Sequence, residues 1–205
     1  MTPPDLQMVL LAAGSSSRFG SPKLLADVDG QPMLATAIDT LLALGHRDSI
    51  VVVIGAHAVE LEPLVREAAV KSLFNADFEQ GMSSSIRAGL SAVRPDCGGV
   101  LILLADQVAV TSDDLRRLVA RWQEQPDRIA AARYAHVTGV PAIFPAALFD
   151  ELAALQGDRG ARELLKRFAE QVVTVHMPSA AVDVDTPADL DALQLMRPGL
   201  SKRVR

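Results

Sequence analysis

Cysteine is nearly absent: Cys97 stands alone among 205 residues. No internal disulfide can form, so nothing points to secretion, and a zinc centre of the finger type cannot be built. Cys97 itself is expected to be a half-buried small residue. The four histidines, His46, His57, His136 and His176, fall at no metal-ligand spacing. No run reaches the ~20 apolar residues that a membrane span needs. The opening "MTPPDLQ" lacks the basic and apolar regions of a signal peptide. The net charge of −5 leaves the chain without the basic excess of a general nucleic-acid binder. No internal repeat and no linker interrupts the sequence. These absences predict a soluble, cytoplasmic protein with neither nucleic acid nor membrane as partner. Its length suits one domain, with a core over about 7–196 and a frayed basic tail, "RPGLSKRVR", over 197–205.

Another absence is local. Between Leu6 and Leu25 there is no acid at all, although the chain as a whole is acidic. That span carries "LAAGSSSRFGSPK" (11–23), which follows an apolar run.

What is present reads as alternating strands and helices. "MVLLA" (8–12), "SIVVVIG" (49–55) and "GVLILLA" (99–105) are Val-, Ile- and Leu-rich runs without alternation, as expected of strands buried on both faces. Helical patterns occupy 32–45, 58–69, 83–93 and 111–125. The first has Pro near its start and Gly past its end, and the last opens on a cap-like Thr or Ser followed by acids. Further strands are expected over 128–134, 141–144 and 172–177, and further helices over 146–155, 160–170 and 187–196. This order implies βαβ units and a Rossmann-like, doubly wound, mainly parallel α/β sheet. Such a sheet binds its ligand at the carboxyl ends of its strands, where the acid-free loop sits.

The loop has the chemistry of a phosphate cradle. Gly14 and Gly20 permit sharp turns and close approach, and successive N–H groups in such a loop can form an anion nest. Ser15, Ser16 and Ser17 add hydroxyl donors, Arg18 can fork onto phosphate oxygens, and Lys23 brings a point charge. It is neither a Walker A loop nor a dinucleotide fingerprint, since both spacings are missing.

"LAAGSSSRFGSPK" resembles the signature L-A-[AG]-G-x-[SA]-x-R-[MF]-G-x-x-K of the MobA-like nucleotidyltransferases, most nearly the molybdenum cofactor cytidylyltransferases. The resemblance runs over about residues 7–195 and takes in "GMSSSIRAGL" (81–90), "LLADQ" (103–107), "LQGDRGARELL" (155–165) and "VDVDTPADL" (182–190). It implies a nucleotide-diphospho-sugar transferase-like fold and transfer of a nucleoside monophosphate to a phosphorylated acceptor with release of pyrophosphate. It implies Arg18 and Lys23 as catalytic residues. Leu11, Ala12, Ala13, Gly14, Ser15, Gly81, Ser83 and Ser85 would bind nucleotide, Asp106 and Asp185 would bind Mg²⁺, and Asp158 and Arg162 would meet the acceptor. CTP is favoured over GTP because the guanylyl branch typically has a second Gly in place of Ala13, and a molybdopterin-type acceptor is implied.

Each constellation also has a plainer structural reading. Asp106, at the end of an apolar run, could be a loop or cap acid. Where the family has G-D-x-P, this chain has Ala105-Asp106-Gln107-Val108, and Ala replaces Gly only where φ is negative. Asp183 and Asp185 would share a face of an extended strand, while either Asp185 or Thr186 could cap the following helix. Gly81 and the serines at 83–85 could be a plain N-terminus, and "GDRGAR" (157–162) another. The family's Gly-His-Pro is Gly139-Val140-Pro141 here, which bears on the acceptor pocket. Trp122 is read as packing. Two rival functions remain: a sugar- or alditol-phosphate nucleotidyltransferase, and a nucleotide-binding reductase or regulatory protein on the same fold.

Overall fold

The computed structural model describes residues 5–45, 47–184, 186 and 188–190. In chain order its strands are β1 (Leu6–Ala12), β2 (Asp27–Val28), β3 (Gln31–Pro32), β4 (Ile50–Ile54), β5 (Lys71–Phe74), β6 (Gly99–Leu104), β7 (Ile129–Tyr134), β8 (Val137–Pro145) and β9 (Val172–His176). Its α-helices are α1 (Met33–Leu42), α2 (Ala58–Glu67), α3 (Met82–Ser91), α4 (Ser112–Glu124), α5 (Phe149–Ala153) and α6 (Ala161–Arg167).

Seven strands form one sheet in the order β5-β4-β1-β6-β8-β7-β9. Only β8 runs against the rest, pairing antiparallel with both β6 and β7. The three apolar runs of the sequence become its adjacent strands β4, β1 and β6, buried on both faces. Alternation along β1 divides the core. Met8, Leu10 and Ala12 pack with α1, α2 and α4, and Val9, Leu11 and Ala13 with α3, α5 and α6. Full burial of one such aliphatic side chain is worth about 1.5–3 kcal/mol. The central strands are therefore held firmly, and the loops at their carboxyl ends start from a fixed edge.

α4 begins with reciprocal hydrogen bonds: the Thr111 hydroxyl accepts from the Asp114 N–H at 3.2 Å, and the Thr111 N–H donates to Asp114 Oδ2 at 3.0 Å. Trp122 on this helix is fully buried, as expected of a packing residue, and its indole N–H donates to the Pro126 carbonyl at 3.1 Å. Cys97 is 3% exposed, more buried than expected, and burial pushes its thiol pKa up.

The structure differs from the sequence expectations in several places. β5 was not anticipated, because it is a half-exposed edge strand with no apolar run. β8 runs nine residues rather than four and folds back from β7 through Ala135 and His136, both at positive φ. Neither is the Gly or Asn that usually signals such a two-residue turn. The helix expected over 146–155 is a 3-10 turn at Ala146–Leu148 followed by the short α5. Most of the helix expected from Pro187 lies outside the described residues. No helix of the described residues is long and apolar enough to cross a membrane.

Candidate active site

The carboxyl ends of β1, β4 and β6 lie side by side, and each delivers a loop to one edge of the sheet. The loop after β1 wraps a cleft of about 260 Å³ lined by Gly14, Ser15, Ser16, Ser17, Arg18 and Lys23, with Asp106 opposite. Its shape is set locally. Ser16 adopts a positive φ of 53°, its carbonyl accepts from the Phe19 and Gly20 N–H groups at 2.9 and 3.3 Å, and its hydroxyl accepts from the Lys23 N–H at 3.3 Å. Arg18 is exposed and lines this cleft.

Across the cleft, Lys23 Nζ donates to Asp106 Oδ2 at 2.7 Å, and both side chains are largely buried. Asp106 Oδ1 is buried without a hydrogen-bond partner among the described residues. A hard carboxylate oxygen left in this condition fits an oxygen-liganded divalent cation. Ala105, in place of the family Gly, is not among the positive-φ residues, so its methyl is tolerated in this turn. Gln107 stiffens the turn: its Nε2 donates to the Val140 and Ala180 carbonyls at 3.1 Å each.

The second expected acid, Asp185, lies outside the described residues. Its neighbours still bear on the question of its role. The Val184 N–H reaches the Asp106 carbonyl at 3.4 Å, which brings this segment to the end of β6. Thr186 donates to Asp189 Oδ2 through its N–H at 2.7 Å and its hydroxyl at 2.8 Å, and accepts from the Asp189 N–H at 3.3 Å. Thr186 therefore has the reciprocal bonding of a helix cap with Asp189.

A second, larger cleft of about 570 Å³ adjoins the first and shares Leu11, Gly14, Ser15 and Asp106 with it. Its other walls are Ala13, Leu104, Phe78 and Met82, with Ser85, Gly81, Glu79 and Asp158. Among the described residues, no lysine or arginine lines it. The two compartments thus separate cationic from apolar and acidic surroundings, as a nucleotide separates its phosphates from its base.

Of the nucleotide-binding candidates, Leu11, Ala12, Ala13, Gly14, Ser15, Gly81 and Ser85 line one or both clefts. Ser83 does not: it is fully buried and accepts from Arg87 at 3.2 Å, while the same guanidinium holds the Leu155 carbonyl at 2.6 Å. Asp158, expected at the acceptor, lines the larger cleft together with Ala13. It is brought there by Gly81, whose φ of +93° and missing side chain let the 157–158 backbone and the Asp158 carboxylate pack directly over it. Arg162 lines neither cleft but acts electrostatically on Tyr134. The Tyr134 phenol pKa is raised by burial and by Asp183, and Arg162 opposes the rise.

Several residues here carried no sequence signal. A Cβ on Gly55, at the end of β4, would lie 2.7 Å from the Ala13 carbonyl oxygen and 2.8 Å from the Phe78 Cβ. His57 Nε2 lies 3.0 Å from the Ser15 carbonyl. Both brace the loop after β1 from the neighbouring strand. Phe78 and Glu79 line the larger cleft from the segment before α3. Only the position of Gly55, Ala56 and His57 just past an apolar run could have hinted at the first two.

The MobA-like NTP transferase domain family matches residues 8–173. Nicotine blue oxidoreductase from Paenarthrobacter nicotinovorans is 30% identical over 194 residues, covering 89% of this chain and 93% of that protein. A protein named "Probable molybdenum cofactor guanylyltransferase", from Rhodopirellula baltica, is 32% identical over 200 residues, covering 92% of this chain and 91% of its own. Among solved structures, Rv0371c from Mycobacterium tuberculosis superposes with a TM-score of 0.81 at 29% identity, over 94% of this chain and 98% of that one. The structure of its complex with manganese gives a TM-score of 0.78 at 26% identity, with the same coverage.

Proposed function

The chain belongs to the MobA-like NTP transferase family, and from that premise we propose that it transfers CMP from CTP to a molybdopterin-type acceptor and releases pyrophosphate. The observation that carries the reading is the pairing of a cationic, hydroxyl-rich cleft with an adjoining apolar one at the ends of β1 and β6. The triphosphate would lie in the first and the nucleoside in the second.

An acceptor phosphate oxygen attacks the α-phosphorus in line, the bond to the β-phosphate oxygen breaks, and pyrophosphate leaves. Little covalent chemistry falls to the protein, so its work is positioning and charge stabilisation. Arg18 forks onto phosphate oxygens from the open side of the cleft. Loop N–H groups and the hydroxyls of Ser15, Ser16 and Ser17 fix the β- and γ-phosphates. Lys23, held at the floor by Asp106, neutralises charge growing on the leaving group. Arg162 takes the acceptor phosphate. A divalent cation, Mg²⁺ in this reading, would be held by Asp106 and Asp185 and supplies further neutralisation of the triphosphate. The unpartnered Asp106 Oδ1 supports that assignment, as does the manganese complex of the related mycobacterial protein.

The choice of CTP rests on Ala13, whose methyl narrows the larger cleft where the guanylyl branch typically has Gly. Pyrophosphate release with each of the four NTPs, with and without molybdopterin, tests the proposal. CTP turnover that requires molybdopterin supports it. Turnover with a sugar phosphate instead moves the chain to the sugar-phosphate nucleotidyltransferases. A second reading, a reductase on this fold, draws on the name of the Paenarthrobacter relative and on the altered Ala105-Asp106-Gln107-Val108 turn. No pyrophosphate with any NTP, together with oxidation of a reduced nicotinamide cofactor, would favour it.

A further inference from the structure

Asn75 follows β5, is 5% exposed and touches neither cleft. Its backbone N–H donates to the Ile54 carbonyl at 2.8 Å, which fixes it beside the end of β4. Its side-chain orientation is also fixed: Oδ1 accepts from the Asp77 N–H at 3.0 Å, so the amide nitrogen must face the other way. There Nδ2 donates to Ser84 Oγ at 2.9 Å and to Ser85 Oγ at 3.1 Å, which uses both of its hydrogens.

The two serines then differ. Ser84 passes its own proton to the Gly81 carbonyl at 2.8 Å, and its bonding is complete within the fold. Ser85 is 6% exposed, lines the larger cleft, and has no acceptor for its proton among the described residues. A buried hydroxyl whose oxygen is already committed as an acceptor is a donor waiting for a partner. We infer that Asn75 is a positioning residue that holds the Ser85 oxygen as an acceptor and leaves its proton to be donated into the larger cleft. The matching ligand feature is an acceptor atom on the nucleoside: a base carbonyl or ring nitrogen, or a ribose oxygen. This inference rests on the reading of that cleft as the nucleoside compartment.

Asn75→Asp keeps the shape and the bond from the Asp77 N–H but replaces the amide donor with an acceptor. Both serines would turn their protons toward it, and Ser85 would then offer lone pairs to the ligand. Calorimetric dissociation constants are measured for CTP, 2′-deoxy-CTP and inorganic tripolyphosphate. CTP binding should weaken about threefold to tenfold in Ser85→Ala and in Asn75→Asp, in the range of one lost hydrogen bond. The double variant should be no weaker than Ser85→Ala alone, tripolyphosphate should bind all variants equally, and Ser84→Ala should bind CTP as the wild type does. If 2′-deoxy-CTP binds the wild type as weakly as CTP binds Ser85→Ala, the acceptor is the ribose hydroxyl. If it binds like CTP, the acceptor lies on the base or elsewhere on the sugar.

Equal weakening in Ser84→Ala and Ser85→Ala, or additive losses in the double variant, would overturn the inference. The serine comparison decides alone if Asn75→Asp does not fold. If tripolyphosphate fails to bind the wild type, the phosphate-cradle reading falls, independently of the serines. If none of the four NTPs binds, both are overturned.

Discussion

Lys23 Nζ sits 2.7 Å from Asp106 Oδ2, joining two residues 83 positions apart in the chain across the floor of the smaller cleft. The pair couples what the sequence motifs present as separate duties, a phosphate-binding lysine and a metal-binding acid. Lys23→Ala and Asp106→Asn should each lower kcat by about 10²–10³, the usual cost of one preorganised charge-stabilising group. Because the two act as a unit, the double variant should be far less impaired than the product of the single losses. Steady-state kinetics at saturating NTP and metal, with urea unfolding of each variant, check this. Near-normal turnover in Lys23→Ala would leave the pair a structural ion bridge only.

Gly55 is predicted to be intolerant of a methyl. A Cβ there meets backbone at Ala13 as well as the Phe78 side chain, so the loop after β1 must shift rather than a flexible side chain give way. Gly55→Ala should cost about 1–3 kcal/mol of stability, as overpacking does, and should also raise KM for the nucleotide. A loss of stability with KM unchanged would show that this contact does not set the loop's position.

Base choice should respond to residue 13. Ala13→Gly removes a methyl from the wall of the larger cleft and should raise GTP use relative to CTP. A methylene-scale change is worth about 1–3 kcal/mol of discrimination, so the shift should be partial. An unchanged ratio of kcat/KM values would remove Ala13 from the specificity argument.

Asp114 ties α4 to the C-terminal segment, and its ionisation should be visible in acid stability. Burial alone would raise its pKa, but hydrogen bonds from the Thr111 backbone, Ser179, the Thr111 hydroxyl and Arg117 outweigh it and hold the pKa below the ordinary value. A depressed folded-state pKa stabilises the fold above the unfolded value of about 3.9, and that contribution is lost as pH falls through the folded value. Urea unfolding of wild type and Asp114→Asn from pH 7 to pH 2 should show a stability difference that shrinks in acid. A difference constant to pH 2 would contradict the assignment.

The parts of the molecule that could be read from sequence share a physical reason. β1, β4 and β6 are buried on both faces, so apolar character alone marks them. The loop from Gly14 to Lys23 is marked by its glycines, hydroxyls and lack of acids. β5 escaped because an edge strand alternates only weakly, and the β7–β8 turn because Ala135 and His136 adopt positive φ without the usual residues. At the site, Gly55, His57 and Asn75 act through contacts between distant segments, which no local pattern encodes. The motif around Asp158 is legible, but its place in the larger cleft depends on packing over Gly81. The sequence leaves the cap open between the adjacent Asp185 and Thr186, and the reciprocal bonds of Thr186 with Asp189 are visible only in the fold.

The most direct test of nucleotidyl transfer is the fate of the α-phosphate. CTP labelled at the α-phosphorus is incubated with the protein, Mg²⁺ and molybdopterin, and products are separated by chromatography. Label should move into the acceptor one-for-one with pyrophosphate released, and Asp106→Asn should abolish most of the transfer. Label that stays in CTP, or appears only as free CMP whether or not acceptor is present, would contradict it.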